Sequence, residues 1–209
     1  MPSLILVAPV PTLLGAVPVL VAAGEIVVAV AVIVALLAVV AAISIYNQLV
    51  ALAVRADGAW SDIDVQLKRR HDLIPNVVET VKGYTAYEKE TFEAVVAARA
   101  KAMGAQGAKD AAAAEDMLSG ALKSLFALSE SYPQLRASEQ FSHLQQQLAA
   151  IEESLQGARR YYNATVRELN TAIRSFPTNL LAGPAGASKR EFFEVSNEAE
   201  RAVPSVKLK

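Results

Sequence analysis

Residues Ile26 to Ile45 read IVVAVAVIVALLAVVAAISI, twenty positions of which only Ser44 is polar. Twenty helical residues rise about 30 Å, the thickness of a bilayer hydrocarbon core, and a backbone in lipid has to pair its own polar groups. The run therefore predicts a transmembrane helix. The alternative, a buried helix of a soluble protein, needs more surrounding chain than the 155 residues after position 54 supply. The run is also too long for the apolar core of a signal peptide, and no basic stretch precedes it.

Composition divides along the same line. The chain is 53% hydrophobic, above the roughly 45–50% of an average globular protein. Its first 54 residues contain a single charge, Glu25, so all 20 Lys and Arg and 20 of the 21 Asp and Glu lie beyond them. The soluble part is thus neutral overall. Balanced charge and a pI near 6.2 argue against a nucleic-acid partner. With no cysteine, a disulfide framework, a thiolate metal site and a thiol nucleophile are excluded.

Four segments follow from this pattern: residues 1–25, an apolar extension; 26–45, the span; 46–177, a helical bundle; and 178–209, a tail rich in Pro, Gly, Ala and Ser that reads as loosely ordered. In the extension, Pro9, Pro11 and Pro18 disfavour a second span. It could lie in the membrane interface, pack in an oligomer, form an extended flap or be a disordered tail. No Lys or Arg precedes the span, whereas Arg55 and then Lys68-Arg69-Arg70 follow it. The positive-inside rule then predicts an outside N-terminus and a cytoplasmic C-terminal domain.

Beyond Tyr46 the apolar residues keep helical spacing. Trp60, Ile63, Leu67, Ile74, Val77, Val81 and Tyr84 share one face, with a kink or short break predicted at Ile74-Pro75 and helix to about Lys101. Residues 103–116, with Gly104 and Gly107 and no large apolar side chain after Met103, read as a helix–helix connection. Leu118, Leu122, Leu125 and Leu128 mark a second stretch ending at Tyr132-Pro133. The third runs from Phe141 to Phe176 in steps of three and four, stopped by Pro177. The fold class is all-α: one N-terminal transmembrane helix continuing into a bundle of long antiparallel helices. The only strand signal is a weak one at Phe192-Phe193-Glu194-Val195.

Chemistry is sparse. The densest polar patch is Asp62, Asp64, Lys68, Arg69, Arg70 and Asp72, with Asp64 and Lys68 in the favourable i,i+4 order and Asp62 in reach of Gln66. It reads as an interaction surface or as a solvated helix face. Lys68-Arg69-Arg70 lies about 35 Å beyond the span on a straight helix, too far to touch headgroups. His71 and His143 are the only histidines and fall in no metal-ligand spacing. No nucleophile elbow, phosphate-binding loop or dinucleotide fingerprint occurs. Trp60 heads an apolar stripe and reads as core, and the Asn163-x-Thr sequon falls inside the third stretch.

Ala59–Tyr84, AWSDIDVQLKRRHDLIPNVVETVKGY, closely resembles the hallmark of the LemA family, as does Tyr46-Asn47-Gln48-Leu49-Val50. A second block is similar too: Tyr132-Pro133-Gln134-Leu135-Arg136-Ala137, Phe141, Leu144-Gln145, Glu152, Ala158-Arg159-Arg160-Tyr161-Tyr162-Asn163, Val166, Asn170, Ile173 and Phe176-Pro177, with Phe193-Glu194 like the family's ending. The resemblance covers about residues 46–195. It implies a bacterial inner-membrane protein with one N-terminal span, a cytoplasmic bundle and no established catalysis. It also implies an association with membrane organisation, and genes often neighbouring a membrane zinc metalloprotease of the HtpX type. Two departures stand out: Tyr87 replaces the family's usual His, and about 24 residues precede a span that is usually close to the start.

Together these readings predict no enzyme, no cofactor and no metal, but a membrane-anchored scaffold that self-associates to organise or shape the bilayer. Its partners would be the lipid bilayer and further copies of itself, in contact through the Asp62–Asp72 patch and the apolar N-terminus. The rival is an adaptor whose patch docks a membrane protease or a sensor. A third reading, an enzyme or metal protein using His71 or His143, has the least support.

Overall fold

The computed structural model describes residues 16–194 except Ala86, with side chains from Gly24 onward. The described chain is helical and contains no strand: α1 (Ala16–Lys82), α2 (Lys89–Gly104), α3 (Gly107–Ser131), the short α4 (Pro133–Arg136), α5 (Glu139–Arg174) and the short α6 (Asn179–Ala182). Residues 2–15, most of the apolar extension, lie outside the described part. The extension's last residues do not: α1 already begins at Ala16. Pro18 then falls in the first turn, where backbone N–H groups have no intrahelical partner and a missing donor costs little.

α1 is 67 residues long, about 100 Å. From Gly24 to Gln48 almost every side chain is exposed, and Leu49 is the first buried residue. Among the described residues it is the one helix long and apolar enough to cross a membrane, and its most apolar window buries nothing against the protein. Ser44 Oγ donates to the carbonyl of Val40 at 2.9 Å, so the run's only polar side chain is satisfied within the helix.

Below Leu49, α1 becomes one wall of the bundle and packs chiefly on α5. Three successive clusters fix the register. Leu49, Leu52 and Ala56 meet Leu169. Ala59, Ile63 and Leu67 meet Leu155, Tyr162 and Val166. Ile74, Val77 and Val81 meet Phe141, Leu144 and Leu148. Numbers rise on one helix as they fall on the other, so α1 and α5 are antiparallel. α5 is the 36-residue stripe predicted above, displaced by two residues. Ser138 caps it by accepting the Phe141 N–H, and Glu139 and Arg174 complement its dipole.

α2 and α3 form a second antiparallel pair, joined only by Ala105-Gln106. The connection predicted over 103–116 is therefore a correction: most of it is helix. Gly107 takes φ +80°, a conformation that glycine adopts at little cost, which makes so short a turn possible. Ala108, Ala111 and Ala112 then bury against Ala59, Ile63 and Tyr162. Alanine has the highest helix propensity, and small side chains suffice where the core is already filled by an aromatic ring.

The predicted break at Ile74-Pro75 is also corrected. The helix continues through Pro75 and ends at Lys82, seven residues later, before a turn over residues 83–88. Pro75 leaves the carbonyl of His71 without its usual donor. Arg99 of α2 supplies the replacement, its Nε donating to that oxygen at 2.7 Å. The lost backbone bond becomes a bond between α1 and α2.

Candidate functional site

Between the two helix pairs lies a cluster of buried charge. α1 contributes Arg70 and His71, which are adjacent in sequence and so 100° apart around the helix. α3 contributes Glu115 and Ser119 one turn apart, and α5 contributes Glu152 and Arg159. Glu115 is only 1% exposed, and both its oxygens are engaged. Oε2 accepts from Arg70 Nη1 at 3.0 Å, and Oε1 lies 2.6 Å from His71 Nε2. An ionised carboxylate only accepts, which assigns the shared proton to the imidazole nitrogen. Arg70 Nη2 donates to Ser119 Oγ at 2.7 Å, and that hydroxyl donates to the Glu115 carbonyl at 2.9 Å.

The cluster continues onto α5. Glu152 Oε2 sits 3.3 Å from Arg70 Nη1, an ion pair without hydrogen-bond geometry. The Arg159 guanidinium lies 4.6 Å from the centre of the Phe193 ring. Burial pulls the pKa of Arg159 below the ordinary arginine value, against the opposing field of Glu152. A groove of about 480 Å³ between α3 and α5 opens beside Arg70 and Glu152, lined also by Lys123, Leu122, Phe126 and Leu148.

This geometry redraws the surface expected at Asp62–Asp72. Asp62, Asp64, Lys68, Arg69 and Asp72 are exposed, but Arg70 is buried and belongs to the interior. The reason is register: Ile63, Leu67, Arg70, Ile74 and Val77 follow the same three- and four-residue steps, and Arg70 fills the one gap in the apolar stripe. Asp64 and Lys68 are both solvated, and the ion pairs of the described residues form elsewhere. Glu115 escaped sequence reading because it stood in a supposed loop. Its signal was its place three residues before Leu118 on the Leu118–Leu122–Leu125 stripe.

His71 and His143 are not brought together. His143 lines a separate groove with Asn76, Glu79 and Tyr84. Among the described residues no three His, Asp or Glu side chains are grouped to hold a metal ion.

The tail holds a second arrangement not foreseen. Residues 178–194 dock along α5 in place of the loose order that their composition suggests. Asn163 donates to the Phe193 carbonyl at 3.0 Å and accepts the Phe193 N–H at 2.8 Å. Asn170 does the same with both backbone groups of Arg190, at 2.9 Å each. Two amides seven residues apart thus mimic a neighbouring strand, which is why Phe192-Phe193 is extended without belonging to a sheet. Tyr162 donates to the Glu191 carbonyl at 2.9 Å, and burial raises its phenol pKa above the ordinary value. Trp60 closes the contact, 5.5 Å from Tyr162 and 6.1 Å from Phe193 between ring centres.

The model of the LemA family matches residues 59–208, a range that includes Arg70, His71, Glu115, Glu152, Asn163 and Asn170. The chain is also similar to magnetosome protein MamQ 1 of Paramagnetospirillum magneticum, 25% identical over 71% of this chain and 64% of the relative. Magnetosome protein MamQ of Magnetospirillum gryphiswaldense is 26% identical with the same shares. Protein LemA of Metamycoplasma hominis is 26% identical over 74% of this chain and 71% of its own. The chain therefore spans slightly less than two thirds of the length of the MamQ relatives.

Three outcomes follow for this region. Glu115→Ala leaves Arg70 and His71 buried without their acceptor and should cost about 3–5 kcal/mol in denaturant unfolding. Replacing all three by apolar residues (Arg70→Met, His71→Leu, Glu115→Leu) should recover most of that loss. The joint change Asn163→Ala, Asn170→Ala should free the tail, so that trypsin cuts after Lys189 and Arg190 at least about tenfold faster while α5 stays helical.

Proposed function

This chain belongs to the LemA family, and from that premise we propose that it is a membrane-anchored, non-enzymatic helical scaffold that self-associates to organise or shape a bilayer. The observation that carries the reading is α1, a single helix that leaves the apolar run at Ile45 and enters the bundle core at Leu49 with no break. A rod fixed to its span transmits the position of the bundle to the membrane. Copies lying side by side would impose order on the lipid between them. The buried charge cluster favours structure over catalysis, because Arg70, His71, Glu115 and Ser119 at its centre are engaged with one another. Two of the relatives take their names from the magnetosome, a cellular structure and not a reaction.

The location proposed is the bacterial inner membrane, crossed once, with the bundle in the cytoplasm. Sequence near the span offers Arg55 alone as a positive-inside signal. The antiparallel packing of α5 adds Arg174, Lys189 and Arg190 to the same end, and no Asp or Glu occurs in residues 26–56 or 169–190. Asp57 and Glu168 at that end pair with Arg190 and Arg55, but acidic residues count little in the positive-inside rule, so the basic residues support the orientation.

An adaptor docking an HtpX-type membrane protease or a sensor is the second reading, favoured by the exposed mixed-charge face at Asp62, Asp64, Lys68, Arg69 and Asp72. The two readings separate by experiment. In mild detergent the scaffold should give particles of several 22.2 kDa chains; a strict monomer across all concentrations would sink it. The adaptor predicts a stoichiometric cross-linked partner that is lost on Lys68→Glu, Arg69→Glu. Unchanged recovery counts against that docking. Arg70 is left alone in this test, because its removal would disturb the interior.

A further inference from the structure

We propose that the α5–α6 turn is a second membrane contact, with Phe176, Pro177 and Leu180 seated in the interface of the leaflet from which α1 emerges. The inference rests on the reading of Ile26–Ile45 as a span and extends it. The first observation is level. Ile45, the last residue of the apolar run, packs in one cluster with Ala172, Ile173 and Leu181. Because α5 runs antiparallel to α1, the residues after Ile173 lie still closer to the span. The turn is therefore held at the height where the apolar surface of α1 begins.

The second observation is exposure. Phe176 is 80% exposed and Leu180 66% exposed, while Ala182 and Ala187 on the inner side of the same turn are buried. Pro177 is exposed between them. At this one place on the bundle the fold turns Leu181, Ala182 and Ala187 inward and leaves Phe176 and Leu180 facing outward. An aromatic ring at the lipid–water boundary is a common anchor. The third observation is charge. Arg174, the last residue of α5, borders the turn, is exposed, and takes part in no ion pair among the described residues; Lys189 lies further from the span, lining a groove with Ala56, Asp57 and Trp60. Arg55 and Arg190 lie at the same end and already answer Glu168 and Asp57. A free cation beside an apolar tip suits an anionic leaflet, where the tip enters the acyl boundary and the cation meets a phosphate. A bundle held at both α1 and this turn is fixed in tilt as well as in depth.

The test places one tryptophan at a time in the full chain, in a Trp60→Phe background that removes the native one. Phe176→Trp probes the turn, Val34→Trp the centre of the span, and Val96→Trp the exposed face of α2. Each variant is reconstituted in phosphatidylcholine–phosphatidylglycerol vesicles whose lipids carry bromine either near the headgroup or near the chain end. The probe at position 176 should lose roughly half its emission or more, mostly to the shallow bromine, as an interfacial ring would. The probe at position 34 should be quenched mostly by the deep bromine, and the one at position 96 by neither. Quenching at 34 without quenching at 176 overturns the second contact and leaves the span intact. A probe at 176 that is unquenched by lipid but shifts to the blue with protein concentration overturns it in favour of a second copy covering the turn. No quenching at 34 removes the span reading and this inference with it.

Discussion

The carboxylate of Glu115 is the constraint around which the bundle is arranged. A buried charge without partners is too costly to keep, so the helices have to bring donors to it. Arg70 and His71 can both reach it only because they are neighbours on α1 with side chains 100° apart. Ser119 then accepts from the other terminal nitrogen of the same guanidinium, and Glu152 pairs with the nitrogen that Glu115 already holds. Leucines and alanines at these positions would pack in several registers. The carboxylate leaves donors unpaired in every register but one, so the cluster sets the depth of α3 against α1 and α5. The apolar clusters above and below it contribute the larger share of the burial.

Arg99 and the asparagine pair act in a similar way at smaller scale. Each satisfies backbone groups that regular structure leaves open: the His71 carbonyl freed by Pro75, and the N–H and C=O groups of an extended tail. Each of these side chains also ties one element to another. The core clusters and these polar ties are interleaved along α1 and α5, so no layer of the bundle relies on apolar packing alone.

Sequence periodicity was enough to find α5 and the all-α class, because a long stripe in steps of three and four has few alternative readings; the apolar run was plain from composition, and the family from the resemblance of motifs such as Ala59–Tyr84. Reading broke down where one residue's meaning depended on another far away. Pro75 looked like a break because Arg99, which repairs it, is 24 residues distant. Residues 103–116 looked like a loop because glycines outweighed alanines whose burial depends on Tyr162. Arg70 was picked out, but as surface, since a charged residue in an apolar stripe is explained only by Glu115. Residues 178–194 looked loose because their order comes from side-chain amides on another helix, whose only trace is the seven-residue spacing of Asn163 and Asn170; the rest of the tail lies outside the described residues. The role of the exposed Asp62–Asp72 face is not written in the local sequence at all, since solvated and docking faces share the same composition.

Because the apolar run and the bundle are parts of one uninterrupted helix, they share a single helical phase. The direction in which the bundle faces is therefore set by how the apolar run is rotated about its own axis. A shift of one residue at Tyr46–Gln48 would turn everything below by 100° while moving it only about 1.5 Å. Depth is almost insensitive to such a change and azimuth is acutely sensitive. The length of the segment between Ile45 and Leu49 acts as an angular setting between the apolar run and the bundle.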